Sequence, residues 1–131
     1  MEEQFRVLVC GGRDLDESTV WNWLEHQAPA EIGRTITCII QGGASGADRG
    51  AEMWAKSERR CSCITYPANW KKYGKRAGPI RNQRMIDEGK PDLVVAFPGG
   101  KGTADMVQRA RNSFIKVLEV RHVRPQTGGR G

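Results

Sequence analysis

The stretch FRVLVCGGRDL, residues 5–15, decides the fold. Residues 5–10 form a short, valine-rich apolar run that ends at a Gly-Gly pair, which predicts a buried strand followed by a tight turn. From Asp16 the spacing becomes helical, with Asp16 or Ser18 as the N-cap. The apolar positions that share one face of this helix are Val20, Leu24 and Ala28. A strand, a glycine turn and a helix in this order predict the first unit of a parallel α/β sheet.

The same unit recurs along the chain. Further strands are predicted at residues 35–40, 61–66, 92–97 and 115–120. Helices are predicted at 47–57 and 80–88, and after residue 102, where Thr103 would be the N-cap and Val107, Ala110 and Phe114 would point inward. This alternation predicts an α/β class: a Rossmann-like, three-layer domain with about five mostly parallel strands and helices on both faces. The domain would span residues 1–124, and residues 125–131 would form a disordered basic tail.

Composition limits the class of protein and its partners. The 131 residues are enough for one domain, and the net charge of +6 favours an anionic partner. No run is long and apolar enough to span a membrane, and the acidic start is unlike a signal peptide, so a cytoplasmic protein is expected. The four cysteines lack CxxC spacing, so we expect buried, reduced thiols, with no metal site and no resident cofactor.

Three glycine clusters point to the position of a ligand site. They lie at residues 11–12, 42–46 and 99–102, and each follows a predicted strand and precedes a predicted helix. The carboxyl ends of parallel strands share one edge of the sheet, where open α/β domains bind ligands. Glycine there lets backbone N–H groups approach a phosphate, and the helix N-terminus adds partial positive charge. The clusters match neither a Walker loop nor GxGxxG, which disfavours ATPases and ordinary NAD-dependent dehydrogenases.

Four segments carry a family resemblance: VCGGRDL at 9–15, QGGASGADRGAE at 41–52, PANWKKYGKRAGPIRNQRM at 67–85 and VVAFPGGKGTADMV at 94–107. In these segments the chain resembles the SLOG superfamily, and within it the branch of YspA and cpYpsA-related proteins. The resemblance implies a Rossmannoid domain that binds nucleotides or their derivatives. Together with the glycine loops it gives these candidate ligand-binding residues: Gly11, Gly12, Arg13, Gly42, Gly43, Ser45, Gly46, Asp48, Arg49, Trp70, Arg81, Asn82, Pro98, Gly99, Gly100, Lys101, Gly102 and Thr103.

The superfamily also contains enzymes, the Lonely Guy phosphoribohydrolases, which remove the base from a nucleoside monophosphate. Their PGGxGTxxE motif ends in a catalytic glutamate, and Met106 stands at that position here. Arg81 matches the arginine that helps to hold the phosphate and sugar in that family. The candidate catalytic residues are therefore Arg81, Asp48 and Asp105, although the helical rotation of about 100° per residue predicts that Asp105 points away from the site. Capping of a helix would explain Asp48 equally well.

A basic segment, residues 69–86, interleaves six Lys and Arg side chains with the aromatic Trp70 and Tyr73 and contains no acidic residue. It could stack bases and neutralise phosphates, or be a solvated basic surface. In the first helix Trp21 and Trp23 cannot share one face. One of them should therefore point outward, and with the resemblance this predicts a homodimer or higher homo-oligomer.

Three functions remain open from the sequence. The first is a sensor or sequestering protein that binds a nucleotide-derived small molecule, such as an NAD-derived or cyclic nucleotide signal, in a phage or prokaryotic conflict system. The second is an N-glycoside hydrolase that uses Arg81 with Asp48 or Asp105. The third is a single-stranded nucleic-acid binder, which we rank last because the glycine loops predict a closed pocket rather than a long groove.

Overall fold

Five parallel strands form one sheet in the computed structural model, which describes residues 3–57 and 61–121. The strands are β1 (Arg6–Cys10), β2 (Cys38–Gln41), β3 (Ser62–Thr65), β4 (Leu93–Ala96) and β5 (Lys116–Glu119). Their order across the sheet is β3-β2-β1-β4-β5. The chain therefore proceeds from β1 to β3 on one side and then crosses to β4 on the other. The predicted α/β class, with five parallel strands, is confirmed.

Helices connect the strands. They are α1 (Glu17–Asn22), α2 (Ala28–Ile32), α3 (Ala47–Ser57), α4 (Trp70–Tyr73), α5 (Ala77–Asp87) and α6 (Lys101–Asn112). A π-helical turn, Trp23–Gln27, joins α1 to α2, and a 3-10 turn, Gly74–Arg76, joins α4 to α5. No helix among residues 3–57 and 61–121 is long and apolar enough to cross a membrane.

The sheet separates two hydrophobic cores. In β1, Val7 and Val9 face α1 and α3, whereas Leu8 and Cys10 face α5 and α6. This alternation follows from the period of two along a strand, and because β1 is covered on both faces all four side chains are buried. The result is the predicted three-layer arrangement with helices on both faces.

Several local predictions are wrong. Helix α6 begins earlier than predicted, so its N-cap is Gly100 and Thr103 is its third residue. The helix ends at Asn112, after which Phe114 adopts a left-handed conformation (φ 60°) and is 96% exposed instead of pointing inward. Helix α5 starts three residues before the predicted 80–88, because the basic segment is itself helical. The proposed tail at 125–131 lies outside the described residues.

Candidate functional site

A cavity of about 940 Å³ opens at the carboxyl ends of β1 and β4. The connections after these two neighbouring strands run to opposite faces of the sheet, which leaves a crevice between them. Its walls are the loop after β1, the loop that leads from β4 into α6, and the first half of α5 with Trp70. Thirteen of the predicted ligand-binding residues line it: Gly11, Gly12, Arg13, Asp48, Trp70, Arg81, Asn82, Pro98, Gly99, Gly100, Lys101, Gly102 and Thr103.

The N-terminus of α6 opens into this cavity. Its N-cap, Gly100, has no side chain to accept a hydrogen bond, and the first helical hydrogen bond joins the N–H of Ala104 to the carbonyl of Gly100 (3.0 Å). The N–H groups of Lys101, Gly102 and Thr103 precede that bond and are therefore not used within the helix. A Cβ on Gly100 or Gly102 would meet nothing within 4 Å. The arrangement leaves backbone donors and the positive end of a 12-residue helix accessible to an anion.

The second glycine loop, Gly42–Gly46, has a different role, because it holds the first loop in place. Ser45 Oγ donates to the carbonyl of Arg13 (3.0 Å), and the N–H of Ala47 donates to the carbonyl of Gly12 (3.1 Å). Gly46 has a positive φ of 75°, and a Cβ there would collide with the carbonyl oxygen of Gly12. Five predicted ligand-binding residues consequently do not line the cavity: Gly42, Gly43, Ser45, Gly46 and Arg49.

Asp48 and Arg81 form the charged wall of the cavity. Asp48 Oδ2 accepts hydrogen bonds from the N–H groups of Gly42 and Ala44, both at 3.2 Å, so this side chain fixes the second loop. Burial raises the pKa of the Asp48 carboxyl, although the hydrogen bond from Ala44 and the charge of Arg81 lower it. Arg81 Nη1 donates to the carbonyl of Gly42 (2.8 Å). Burial lowers the pKa of Arg81, and Asp48 opposes that effect.

Asn82 links α5 to α6 beside the cavity. Its Nδ2 donates to the carbonyl of Gly102 (3.2 Å) and to Asp105 Oδ2 (3.0 Å), while its Oδ1 accepts from Arg81 Nε (3.0 Å). Asp105 also forms an ion pair with Arg109 (2.8 Å). These contacts hold the first turn of α6 against α5, so Asn82 and Asp105 stabilise the position of the helix N-terminus.

The orientation predicted for Asp105 is wrong. Asp105 lines the cavity, whereas its neighbour Met106 is fully buried between α6 and the sheet. In α6 the position of the Lonely Guy glutamate, Met106, shares the buried apolar face with Val107 and Ala110. The carboxylates that this structure brings to the cavity are Asp14, Asp48 and Asp105.

Sequence reasoning missed several lining residues: Cys10, Leu15, Ala44, Lys75, Gly78, Pro79 and Met85. Cys10 and Leu15 flank the first glycine loop, and Lys75, Gly78 and Pro79 belong to the basic segment, so proximity to those motifs was the available signal.

Burial, together with the charge of Asp48, raises the pKa of Cys10 to about 12, which keeps this thiol protonated and a poor nucleophile at neutral pH. Residues 3–57 and 61–121 contain no group of three His, Cys, Asp or Glu side chains that could hold a metal.

Comparisons with known proteins agree with this architecture. The Gene 61 protein of Mycobacterium phage D29 is 35% identical over 123 aligned residues, which cover 86% of this chain and 94% of the phage protein. The solved structure of the Moco carrier protein from Chlamydomonas reinhardtii has the same fold, with a TM-score of 0.57 and 19% identity over 90% of this chain and 76% of that one.

A family model matches residues 5–73, more than half of the chain, and this stretch contains the first two glycine loops and Trp70. The family and the cavity together support ligand binding in general. The chain belongs to the YspA, cpYpsA-related SLOG family.

Proposed function

We propose that the protein binds a nucleotide-derived small molecule in this cavity, with a phosphate group at the N-terminus of α6, and that it senses or sequesters this molecule. The observation that carries the proposal is the uncapped start of α6, where Gly100 and Gly102 leave the backbone donors open to the cavity. A phosphate there would accept several N–H bonds and interact with the helix dipole.

The charges around the cavity support an anionic ligand. Its basic side chains are Arg13, Lys75, Arg81 and Lys101, and its acidic ones are Asp14, Asp48 and Asp105. Asp105 is already paired with Arg109, so it does not offset the four basic side chains of the cavity. The balance is therefore positive, which raises the local concentration of anions.

The comparisons with known proteins support ligand binding in general. The structural neighbour is named as a carrier of Moco, so the same fold serves as a carrier in that protein. The phage relative is compatible with a role in a phage or prokaryotic conflict system, where a nucleotide signal would be captured.

The proposal can be tested at Gly102 with a matched pair of variants. Gly102→Asp adds a negative charge where the phosphate would lie, whereas Gly102→Asn adds the same volume without the charge, and the open space tolerates both. Calorimetry and thermal shift would be measured with the four ribonucleoside monophosphates and ADP-ribose, and with the corresponding nucleosides. We expect the phosphorylated compounds to stabilise the natural protein and the nucleosides to do so much less.

Gly102→Asp should lose about tenfold or more in affinity for the phosphorylated ligands relative to Gly102→Asn, since a charge-assisted hydrogen bond contributes ~1.5–3 kcal/mol. Equal affinities of the two variants, or equal stabilisation by nucleosides and monophosphates, would contradict a phosphate site at α6.

An N-glycoside hydrolase is the second candidate, and the raised pKa of Asp48 in the cavity wall is the observation that favours it. Against it, Asp48 is occupied in holding the second loop, and Met106 cannot reach a ligand. We expect no release of free base from nucleoside monophosphates by chromatography. Multiple-turnover release that is lost in Asp48→Asn or Asp105→Asn would identify an enzyme instead.

Single-stranded nucleic-acid binding has less support. Lys71, Lys72 and Arg76 are exposed on or beside α4 and could contact a polyanion, but they do not line the cavity. We expect any oligonucleotide binding to weaken steeply with salt while binding of the small ligand changes less, because a polymer releases more counterions. Tight binding of long single strands at about 200 mM salt would reverse this ranking.

A further inference from the structure

Two side chains from distant parts of the chain meet at the cavity. Arg13 belongs to the loop after β1, and Trp70 is the first residue of α4. The Arg13 guanidinium carbon lies 5.5 Å from the centroid of the Trp70 ring, and both residues line the cavity. Trp70 is 48% exposed, which is unusual for the largest apolar side chain. An exposed tryptophan at a cavity wall offers a flat surface to a ligand.

The position of Trp70 is fixed by its surroundings. Asn69 caps α4 by accepting a hydrogen bond from the N–H of Lys72 (3.0 Å). The far end of the ring, Cη2, lies 3.4 Å from where a Cβ on Gly78 would be, so the ring lies close to the start of α5. One edge of the ring therefore lies against the start of α5, and about half of the side chain remains exposed.

Arg13 combines a backbone that is held by a hydrogen bond with an exposed side chain. Its carbonyl accepts the hydrogen bond from Ser45, which holds the loop. The residue is exposed, and within residues 3–57 and 61–121 its guanidinium forms no ion pair but lies over the Trp70 ring. The charge of Arg13 also acts on Asp48 and Arg81, whose pKa values it lowers, so it lies within the electrostatic range of the cavity wall.

We propose that Trp70 stacks on a planar, nucleobase-like ring of the ligand, and that this ring replaces the Arg13 guanidinium, which then serves the ligand's phosphate. This inference rests on the proposed function, because it assigns the second part of the same ligand. A guanidinium is planar and stacks on aromatic faces as a base does, so the two compete for one surface. A ligand without a ring gains no stacking, and the site consequently selects phosphates that carry a base.

The test compares the four ribonucleoside monophosphates with ribose 5-phosphate, which has the sugar and phosphate but no ring. Calorimetry would be done on the natural protein, Trp70→Leu, Trp70→Phe and the control Tyr73→Leu. Tyr73 is a matched control because it lies on the same helix, is 39% exposed and has a cation, Lys72 Nζ, 5.1 Å from its ring centroid, but does not line the cavity.

We expect at least one monophosphate to bind the natural protein more tightly than ribose 5-phosphate does. Trp70→Leu should weaken that binding by roughly 5- to 100-fold without weakening the binding of ribose 5-phosphate, since stacking acts on the base alone. Trp70→Phe should retain most of the affinity, Tyr73→Leu should change neither ligand, and circular dichroism should show that all variants are folded.

Other outcomes would overturn the inference in distinguishable ways. If ribose 5-phosphate binds as tightly as every monophosphate, or if Trp70→Leu weakens both equally, stacking on Trp70 is wrong while the phosphate site at α6 stands. If Gly102→Asp has no effect on any of these ligands although Trp70→Leu does, stacking stands and the phosphate site is wrong. If no monophosphate binds the natural protein, both proposals fail.

Discussion

Glycines in the loops of this protein have opposite roles, and single substitutions separate them. Gly46 has a positive φ of 75° and lies against the carbonyls of Gly12 and Arg13, whereas Gly102 lies in the first turn of α6 with open space around it. The first is required by the packing of two loops. The packing around Gly102 would accept a side chain, so the fold does not require a glycine there. A glycine at this position is consistent with contact with a ligand.

This difference predicts opposite changes in stability. Gly46→Ala should lower the free energy of unfolding by about 2 kcal/mol or more, because a left-handed conformation with a Cβ is strained and the Cβ overlaps Gly12. Gly102→Ala should be neutral or raise it by up to ~1 kcal/mol, since alanine favours the helix. Urea denaturation measures both. A Gly46→Ala protein as stable as Gly102→Ala would contradict the account of the second loop.

Asp48 should make the stability of the protein depend on pH. Burial raises its pKa in the folded state above the unfolded value, so the folded protein binds this proton more tightly. Its contribution to stability is therefore fully present below the unfolded pKa and is lost as the pH rises through the folded pKa. Asp48→Asn does not titrate, and its side-chain oxygen can still accept hydrogen bonds from Gly42 and Ala44.

We expect the melting temperature of the natural protein, relative to that of Asp48→Asn, to fall as the pH rises from about 4 towards neutrality. Thermal unfolding of both proteins at closely spaced pH values measures this difference. A difference in melting temperature that stays constant, or that grows in favour of the natural protein, would contradict this prediction. It would mean that Arg81 and the backbone donors lower the pKa of Asp48 at least as much as burial raises it.

At the scale of the element, α6 has two faces with separate roles. Its first turn is the proposed phosphate site, and Asp105 faces the cavity, while Met106, Val107 and Ala110 are buried against the sheet. The rotation of this helix follows from the burial of that apolar face and from the contacts of Asn82 with Gly102 and Asp105.

This rotation predicts that the glutamate of the hydrolase pattern cannot simply be restored. Met106→Glu would place a carboxyl group in a core position with 0% exposure and should destabilise the protein by about 4 kcal/mol or more. Met106→Leu, which preserves the volume and the apolar character, should cost less than about 1.5 kcal/mol. Denaturation curves compare the two. A Met106→Glu protein of nearly natural stability would show that α6 can rotate and bring this position to the cavity.

At the scale of the whole molecule, the homo-oligomer expected from the sequence stays a prediction. Trp21, on which it partly rested, is half-buried and packs against the core around α1 and α3, whereas Phe114 is 96% exposed beside the edge strand β5. We expect light scattering at low micromolar concentration to give at least twice the 14.6 kDa of the chain. Phe114→Asn, which suits a left-handed position, should weaken association without loss of folding. A monomeric mass for the natural protein would contradict the prediction.

The sequence by itself determined the fold class and the edge of the sheet at which the cavity opens. Alternating strand and helix periods are local properties, and a glycine pair after each buried run marks the carboxyl end of a strand. Ten residues that line the cavity could be named in this way because they lie in or beside those loops, whereas Trp70, Arg81 and Asn82 lie in the basic segment that shares the family resemblance.

Only the tertiary structure decided which of these parts line the cavity and which support it. The strand order puts the loops after β1 and β4 on either side of the crevice. Gly46 packs against the loop after β1 and supports it. Likewise, the rotation of α6 buries Met106 and exposes Asp105, and the packing of α4 brings Trp70 to Arg13. The physical reason is that neighbours distant in sequence fix each of these features, whereas periodicity and turn chemistry describe only residues close together along the chain.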